Sequence, residues 1–274
     1  GKSTTMKMLT GFLEPDNGQI FINNINLKSD PLKAKEYIGY LPEGAPSYSD
    51  MIVADFLSFI GKMRGLNHKS LSNRLEEMAN QINLKEMWNR PIETLSKGFK
   101  RRVGIAQALI HDPDILILDE PTDGLDPNQK HEMRNLIKRI STNKAIVIST
   151  HILEEVEAVC SRAVIIANGK LLANDTPKNL ENKFLNKNTL SIEVSNKINN
   201  VISKDIKSLI KYDDVKIQKT DISGHTILVS DNKKVPNLNT VLKQTNKLKL
   251  DVIEANFQKV SLEEIFRKIT SDNN

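Results

Sequence analysis

Three stretches carry residues whose types and spacing suit phosphate chemistry. Gly1-Lys2-Ser3 opens the chain, Ser96 and Gly98 sit in "LSKGF" (95–99), and Asp119-Glu120 ends "ILILDE" (115–120). Gly-Lys-Ser fits the end of the pattern G-x-x-x-x-G-K-[ST], whose backbone cradles phosphate. The residues that follow read at once as a helix. A helix N-terminus presents free N–H groups and a partial positive charge, so an anion can rest there. In that setting Lys2 would reach the β- and γ-phosphates of a nucleotide, and the Ser3 hydroxyl would ligate Mg2+. Taken alone, the same three residues also suit an ordinary capped helix.

A parallel strand ending in Asp119 sets a carboxylate at the carboxyl edge of its sheet, where ligands bind. Asp119 would hold Mg2+ directly or through water, since this ion takes oxygen ligands and keeps several waters. Glu120 is spaced to take a proton from an attacking water, help typically worth ~10²–10⁴ in rate. Ser96 and Gly98 start a second long helix and offer a second anion site. One nucleotide does not readily use two such helix starts in one chain. Two chains packed head to tail would let each nucleotide meet the first loop of one and "LSKGF" of the other. A plain N-cap at Ser96 is the alternative.

The elements that must position these residues alternate. Residues 1–12 read as a helix, "EPDNG" (14–18) as a turn and "QIFINN" (19–24) as a strand. Asp30-Pro31 looks like an N-cap with proline at the first helical position, and Asp126-Pro127 starts another helix. Helical patterns run from Val53 to Gly65, from Ser70 to Leu84 and over 95–113, ending at Pro113. "ILILDE" reads as a strand buried on both faces, and "AIVIST" (145–150) as a second buried strand, with a helix from Ile152 to about Cys160. Residues 162–175 read as a hairpin on an Asn-Gly turn. Strands alternating with helices predict an α/β chain with a mostly parallel, covered sheet. From about 185 the order becomes β-α-β-β-α-β, the split βαβ arrangement. A last helix is expected from Ser261, with Ser261 and Glu264 in capping-box spacing and Leu262, Ile265, Phe266 and Ile269 on one face.

The bulk properties set bounds. A chain of 274 residues can bury about three-quarters of its unfolded surface, so a core needs no covalent staples. No apolar run approaches the ~20 residues that span a bilayer. Cys160 is the single cysteine, which excludes an intrachain disulfide. The net charge of +5 comes from scattered lysines, read as solvated surface, and no nucleic-acid partner is expected.

Taken together, these motifs resemble an ATP-binding cassette (ABC) transporter ATPase over residues 1 to about 175. Gly1-Lys2-Ser3-Thr4 resembles the end of Walker A, Glu43 stands where the Q-loop glutamine is expected, and "LSKGF" resembles the LSGGQ signature. "ILILDEP" resembles Walker B, "GLDP" (124–127) the D-loop, and His151 the switch histidine. The resemblance implies a P-loop NTPase cassette over residues 1–184, with a helical subdomain at about 46–112. Residues 185–274 then form a small α+β, ferredoxin-like accessory domain. It implies ATP and Mg2+ as ligands, Glu120 as catalytic base and His151 on the γ-phosphate. It assigns ATP binding to Gly1, Lys2, Ser3, Thr4 and Glu43, and metal binding to Ser3 and Asp119. Ser96 and Gly98 would act across a dimer, and Asp126 would speak across it, although Asp-Pro is also a good helix start. The stretch from Pro46 to Leu66 corresponds to the region that faces a membrane permease.

Two departures stand out. Glu43 replaces a glutamine, adding negative charge near the γ-phosphate; the expectation is that it still reaches the metal. Lys97 replaces the first signature glycine and Phe99 the glutamine. These two residues, with a tail "SLEEIFRKIT" (261–270), are similar to bacterial export ATPases of the drug-resistance and gliding-motility type. The implied protein is an ATP-hydrolysing subunit powering export through a separate permease. It would be homodimeric and peripheral on the cytoplasmic face of a bacterial inner membrane. A soluble non-transport cassette and a non-catalytic regulatory cassette are the alternatives. Because the sequence opens inside Walker A, the expectation is of a fragment lacking an upstream strand, most of the loop and the adenine-stacking aromatic, and a poor or inactive ATPase as written.

Overall fold

The computed structural model describes residues 1–258 except 46, 185–188, 196–197, 199, 220–223 and 232–234. The helix expected from Ser261, and with it the "SLEEIFRKIT" tail, lies outside the described residues. By internal contacts the chain forms two compact units, Gly1–Cys160 with Asn168–Lys170, and Ser161–Ala167 with the chain from Leu171 on. The hairpin and helix just before residue 185 thus cluster with the second unit.

The first unit is built on a parallel sheet in the order β3 (Ile38–Leu41), β4 (Ile115–Asp119), β5 (Ala145–Ser149). Helix α1 (Lys2–Leu9) packs on β4 and β5. Its Met6 joins Ile38 and Ile117 in a small core with Ile22, Leu27 and Ala34. Strand β4 is buried along Leu116–Asp119, as a central strand with both faces covered should be. The reading of "AIVIST" as a second buried strand is corrected. β5 is the terminal strand of the described sheet and alternates in exposure, with Val147 37% exposed. An apolar run records affinity for a core; it does not record which neighbours cover it.

"QIFINN" is also corrected. Only Phe21–Ile22 (β1) forms a strand, paired antiparallel with Ile25–Asn26 (β2). Asn23 and Asn24 both take positive φ, the geometry of a tight hairpin turn, so the chain reverses where a longer strand was expected. Helix α2 (Pro31–Glu36) starts as foreseen: the Asp30 carboxylate accepts from the Lys33 amide at 3.3 Å.

Helices α3 (Val53–Met63), α4 (His68–Gln81) and α5 (Lys97–Leu109) enclose the larger core around Phe56, Leu57, Met78, Ile105 and Leu109. Helix α4 starts two residues before Ser70 because Asn67 caps it, accepting from the Ser70 amide at 3.0 Å. Helix α5 ends at Leu109 rather than Pro113; Asp112 already has positive φ. Gly39 brings β3 against α5 backbone to backbone: a Cβ there would lie 2.1 Å from the Ala108 carbonyl oxygen. Helix α6 (Pro127–Ile140) begins on its Asp126 cap and α7 (Leu153–Val159) follows β5. Among the described residues no helix is long and apolar enough to cross a membrane.

Strands β6 (Ala163–Ala167) and β7 (Lys170–Asp175), which apart from Lys170 fall in the second unit, are joined at Asn168-Gly169 with both φ positive, as a two-residue hairpin turn requires. Helix α8 (Pro177–Phe184) follows. Then come β8 (Thr189–Val194), α9 (Asn200–Leu209), β9 (Asp214–Lys219), β10 (His225–Ser230), α10 (Leu238–Lys247) and β11 (Val252–Gln258). The strands pair antiparallel in the order β11-β8-β10-β9. This is the expected βαββαβ arrangement. Alternate residues of β8 (Leu190, Ile192, Val194) and β10 (Ile227, Val229) are buried in its core with Ile206 and Val241.

Candidate nucleotide site

Strand β4 delivers Asp119 and Glu120 to the carboxyl edge of the parallel sheet. The chain turns sharply there, and Glu120 takes φ +50°, a left-handed conformation that a side chain adopts only where the surroundings hold it. Two bonds do so. The Glu120 amide donates to the Ser149 carbonyl at 3.1 Å and to the Ser149 hydroxyl at 3.2 Å. Ser149 lies opposite Asp119 in the parallel register, and its hydroxyl donates to Asp119 Oδ1. Ser3 Oγ, on the first turn of α1, lies 3.4 Å from the same oxygen.

The Glu120 carboxylate is held at both ends. Lys2 Nζ is 3.2 Å from Oε1 and His151 Nδ1 is 2.8 Å from Oε2. Asp119 is 1% exposed and Glu120 9%, while Lys2 and His151 reach them from more open positions. A buried carboxylate costs free energy unless it is paired, and here both partners approach from the open side. Behind this row, buried Glu155 of α7 accepts from the Thr122 hydroxyl on one oxygen and from Thr150 Oγ1 at 2.8 Å on the other. That clasp ties the loop after β4 to the loop after β5.

The other sequence-derived candidates fall nearby without joining the row. Gly1 is the N-cap of α1, its carbonyl accepting from the Thr5 amide at 3.0 Å, and Thr4 is exposed. Ser96 caps α5, accepting from the Phe99 amide at 3.4 Å. Asp126 caps α6, accepting from the Gln129 amide at 2.9 Å. Gly98 faces Gln129, and the Lys97 ammonium lies over Gly124. "LSKGF" and residues 124–129 thus touch within one chain. No hydrogen bond or ion pair among the described residues links Ser96, Gly98 or Asp126 to Lys2 or Glu120. Glu43 is exposed, in the loop after β3. The Tyr40 phenol beside it is pushed up by burial, and the charges of Asp119 and Glu43 add to this.

Sequence reasoning passed over three members of this region: Ser149, Glu155 and Arg101. Arg101 of α5 is buried, and burial pushes its guanidinium down against the opposing pull of Asp123, Glu43, Glu120 and Asp119.

A lysine and a serine on the opening turn of a helix, facing an Asp-Glu pair at the end of a parallel strand, are the arrangement expected of the P-loop class of nucleotide-binding proteins. The comparisons specify the class further. The ABC transporter family model matches residues 1–123. The linearmycin resistance ATP-binding protein LnrL of Bacillus subtilis (strain 168) is 31% identical over 271 residues, covering 98% of this chain and 86% of that protein. The ABC transporter ATP-binding protein NatA of the same strain is 35% identical, over 63% of this chain and 71% of its own. A solved ATP-binding subunit of an ABC transporter superposes with a TM-score of 0.60 at 31% identity, covering 67% of this chain and 77% of that one. The chain belongs to the ATP-binding subunits of ABC transporters, ATPases that power transport. The LnrL match runs on through the βαββαβ unit, so that relative shares both parts of the chain.

Proposed function

We propose that the native protein hydrolyses ATP to power export through a separate membrane permease. It works as one of two like subunits at the cytoplasmic face of a bacterial inner membrane. The observation that carries the chemistry is the row Lys2–Glu120–His151 beside Ser3 and Asp119. Glu120 is the general base: one carboxylate oxygen takes the proton of the attacking water while His151 holds the other in orientation. Lys2 is the one ammonium in the row and serves the β- and γ-phosphates. Ser3 Oγ and Asp119 Oδ1, 3.4 Å apart, form a pair of hard oxygen donors suited to Mg2+, which when bound screens the phosphate charge. Gly1 and Thr4 flank these donors, at the start of α1, and Glu43 borders the site from the loop after β3. Ser96 and Gly98 act on the nucleotide of the second subunit and Asp126 acts across the dimer, which fits the lack, among the described residues, of any hydrogen bond or ion pair between them and Lys2 or Glu120. The export direction follows relatives such as LnrL, a linearmycin resistance protein. Residues 1–184 serve as the cassette and 185–274 as an accessory domain.

The test is Glu120→Gln in the native transporter. ATP binding should persist while hydrolysis falls by about 10²–10⁴. Turnover at the unmutated rate would remove Glu120 from the mechanism, and absence of any ATP binding by the native protein would remove the reading itself.

A further inference from the structure

Helix α5 meets the rest of the first unit along a stripe of small residues at three- and four-residue spacing: Gly98, Gly104 and Ala108, with one long cation, Arg101, among them. The stripe has little slack. A Cβ at Gly98 would meet the Gln129 side chain at 3.0 Å, and one at Gly104 would meet Leu41 at 2.5 Å and the Ala45 Cβ at 3.1 Å. Ala108 abuts Gly39. Leu41 and Ala45 bracket Glu43. The segment bearing Glu43 is therefore pinned against α5 one turn from Arg101.

Arg101 itself is 7% exposed, and its Nη1 has no hydrogen-bond partner among the described residues. A buried guanidinium left with an idle N–H is costly and calls for a physical reason. Four carboxylates lie within its electrostatic reach: Asp123, Glu43, Glu120 and Asp119. Glu120 already has Lys2 and His151, and Asp119 has Ser3 and Ser149. Asp123 is the strongest of the four; its amide donates to the Glu120 carbonyl at 3.2 Å, and its carboxylate has no hydrogen bond or ion pair among the described residues. Glu43 has no ion pair or hydrogen bond among the described residues, and it carries a charge where the resemblance leads one to expect a neutral amide.

We propose that Arg101 is a positioning residue for ATP hydrolysis, the internal counter-cation that lets a carboxylate occupy position 43. A glutamine there would need no cation; a glutamate beside phosphate does. Arg101 thereby couples the helix that starts at the "LSKGF" motif to the loop that borders the nucleotide. The inference rests on the ATPase reading above.

A double-mutant cycle on the native protein tests it, with ATP turnover and nucleotide-free melting temperature measured for Arg101→Gln, Glu43→Gln and the pair. Arg101→Gln should lower kcat about tenfold with a smaller change in KM, and adding Glu43→Gln should restore most of that loss. Arg101→Lys, which keeps the charge, should lie between. If Arg101→Gln alone does not fold, recovery of folded protein in the double variant supports the pair, and failure of both to fold overturns it. A loss that is the same whether or not Glu43→Gln is present, or one that Asp123→Asn relieves and Glu43→Gln does not, also overturns it. Should the native protein prove to have no ATPase activity, the functional reading fails, and the melting-temperature cycle still decides whether Arg101 and Glu43 are coupled.

Discussion

Gly39→Ala is the most direct probe of how β3 and α5 are assembled. The new Cβ would lie 2.1 Å from the Ala108 carbonyl oxygen and 3.0 Å from both its carbon and Leu116 Cδ1. Ordinary contact begins near 3.4 Å, so strand and helix must separate by about 1.3 Å at that point. The obstruction is main chain on both sides, so no rotamer change relieves it. Overpacking of this kind costs about 3 kcal/mol at the upper end of its usual range. Alanine restricts the unfolded chain and returns roughly 0.4–1 kcal/mol. The net loss is about 2 kcal/mol, a large part of a typical stability of ~5–15 kcal/mol. Urea unfolding followed through Trp88, the single tryptophan, which packs against the core of the first unit, reads it directly. The midpoint should fall by about 1 M, given slopes of ~1–3 kcal/mol per molar. Gly18→Ala is the control: nothing lies within 4 Å of its Cβ position, but its φ is +92°, so it loses only the ~1 kcal/mol of backbone strain. ATP turnover should fall with Gly39→Ala as well, because α5 carries Ser96 at its cap and Arg101 on its packed face. A Gly39→Ala midpoint no lower than that of Gly18→Ala would refute the backbone contact.

His111 gives a pH dependence. Burial, aided by the Arg64 charge and opposed by a bond to the Ile38 carbonyl, lowers its imidazole from 6.5 to about 4. The unfolded chain takes up a proton below 6.5 that the folded chain refuses, so the stability this ring contributes is present above pH 6.5 and lost as pH falls towards 4. The loss is roughly 3 kcal/mol, and His111→Gln should flatten it in urea titrations at pH 7 and pH 4.5. The Cys160 thiol is pushed up by burial and by the Glu155 charge; iodoacetamide at pH 8 should label it more slowly than free cysteine, followed by intact mass. Glu155→Ala strips the acceptor from the Thr122 and Thr150 hydroxyls and should cost about 1–3 kcal/mol in thermal or urea melts.

Local chemistry made much of the fold legible. Asp30-Pro31 and Asp126-Pro127 each combine a side-chain acceptor with a fixed φ, and both cap helices. Asn168-Gly169 turns a hairpin for the same kind of local reason. "ILILDE" stood out because turn signals bound an apolar run that ends in two acids. What the sequence hid was pairing at a distance. Ser149 meets Asp119 only because the parallel register sets them side by side, 30 residues apart. Glu155 reads as one acid among several on a short helix until two hydroxyls converge on it. Arg101 sits in a run of basic residues, "KRR" (100–102), that looks solvated, yet its face of α5 is the buried one. Strand β5 erred in the opposite sense, since hydrophobicity predicted burial without naming a cover.

The left-handed backbone at Glu120 has a practical corollary for anyone improving this protein. A side chain in that conformation costs about 1–2 kcal/mol that glycine would not. Directed evolution scored on heat resistance would therefore be drawn towards Glu120→Gly. The winners would be robust, well-behaved proteins in which the proposed base is gone. Selection here has to be scored on turnover, because at this residue durability and catalysis pull in opposite directions.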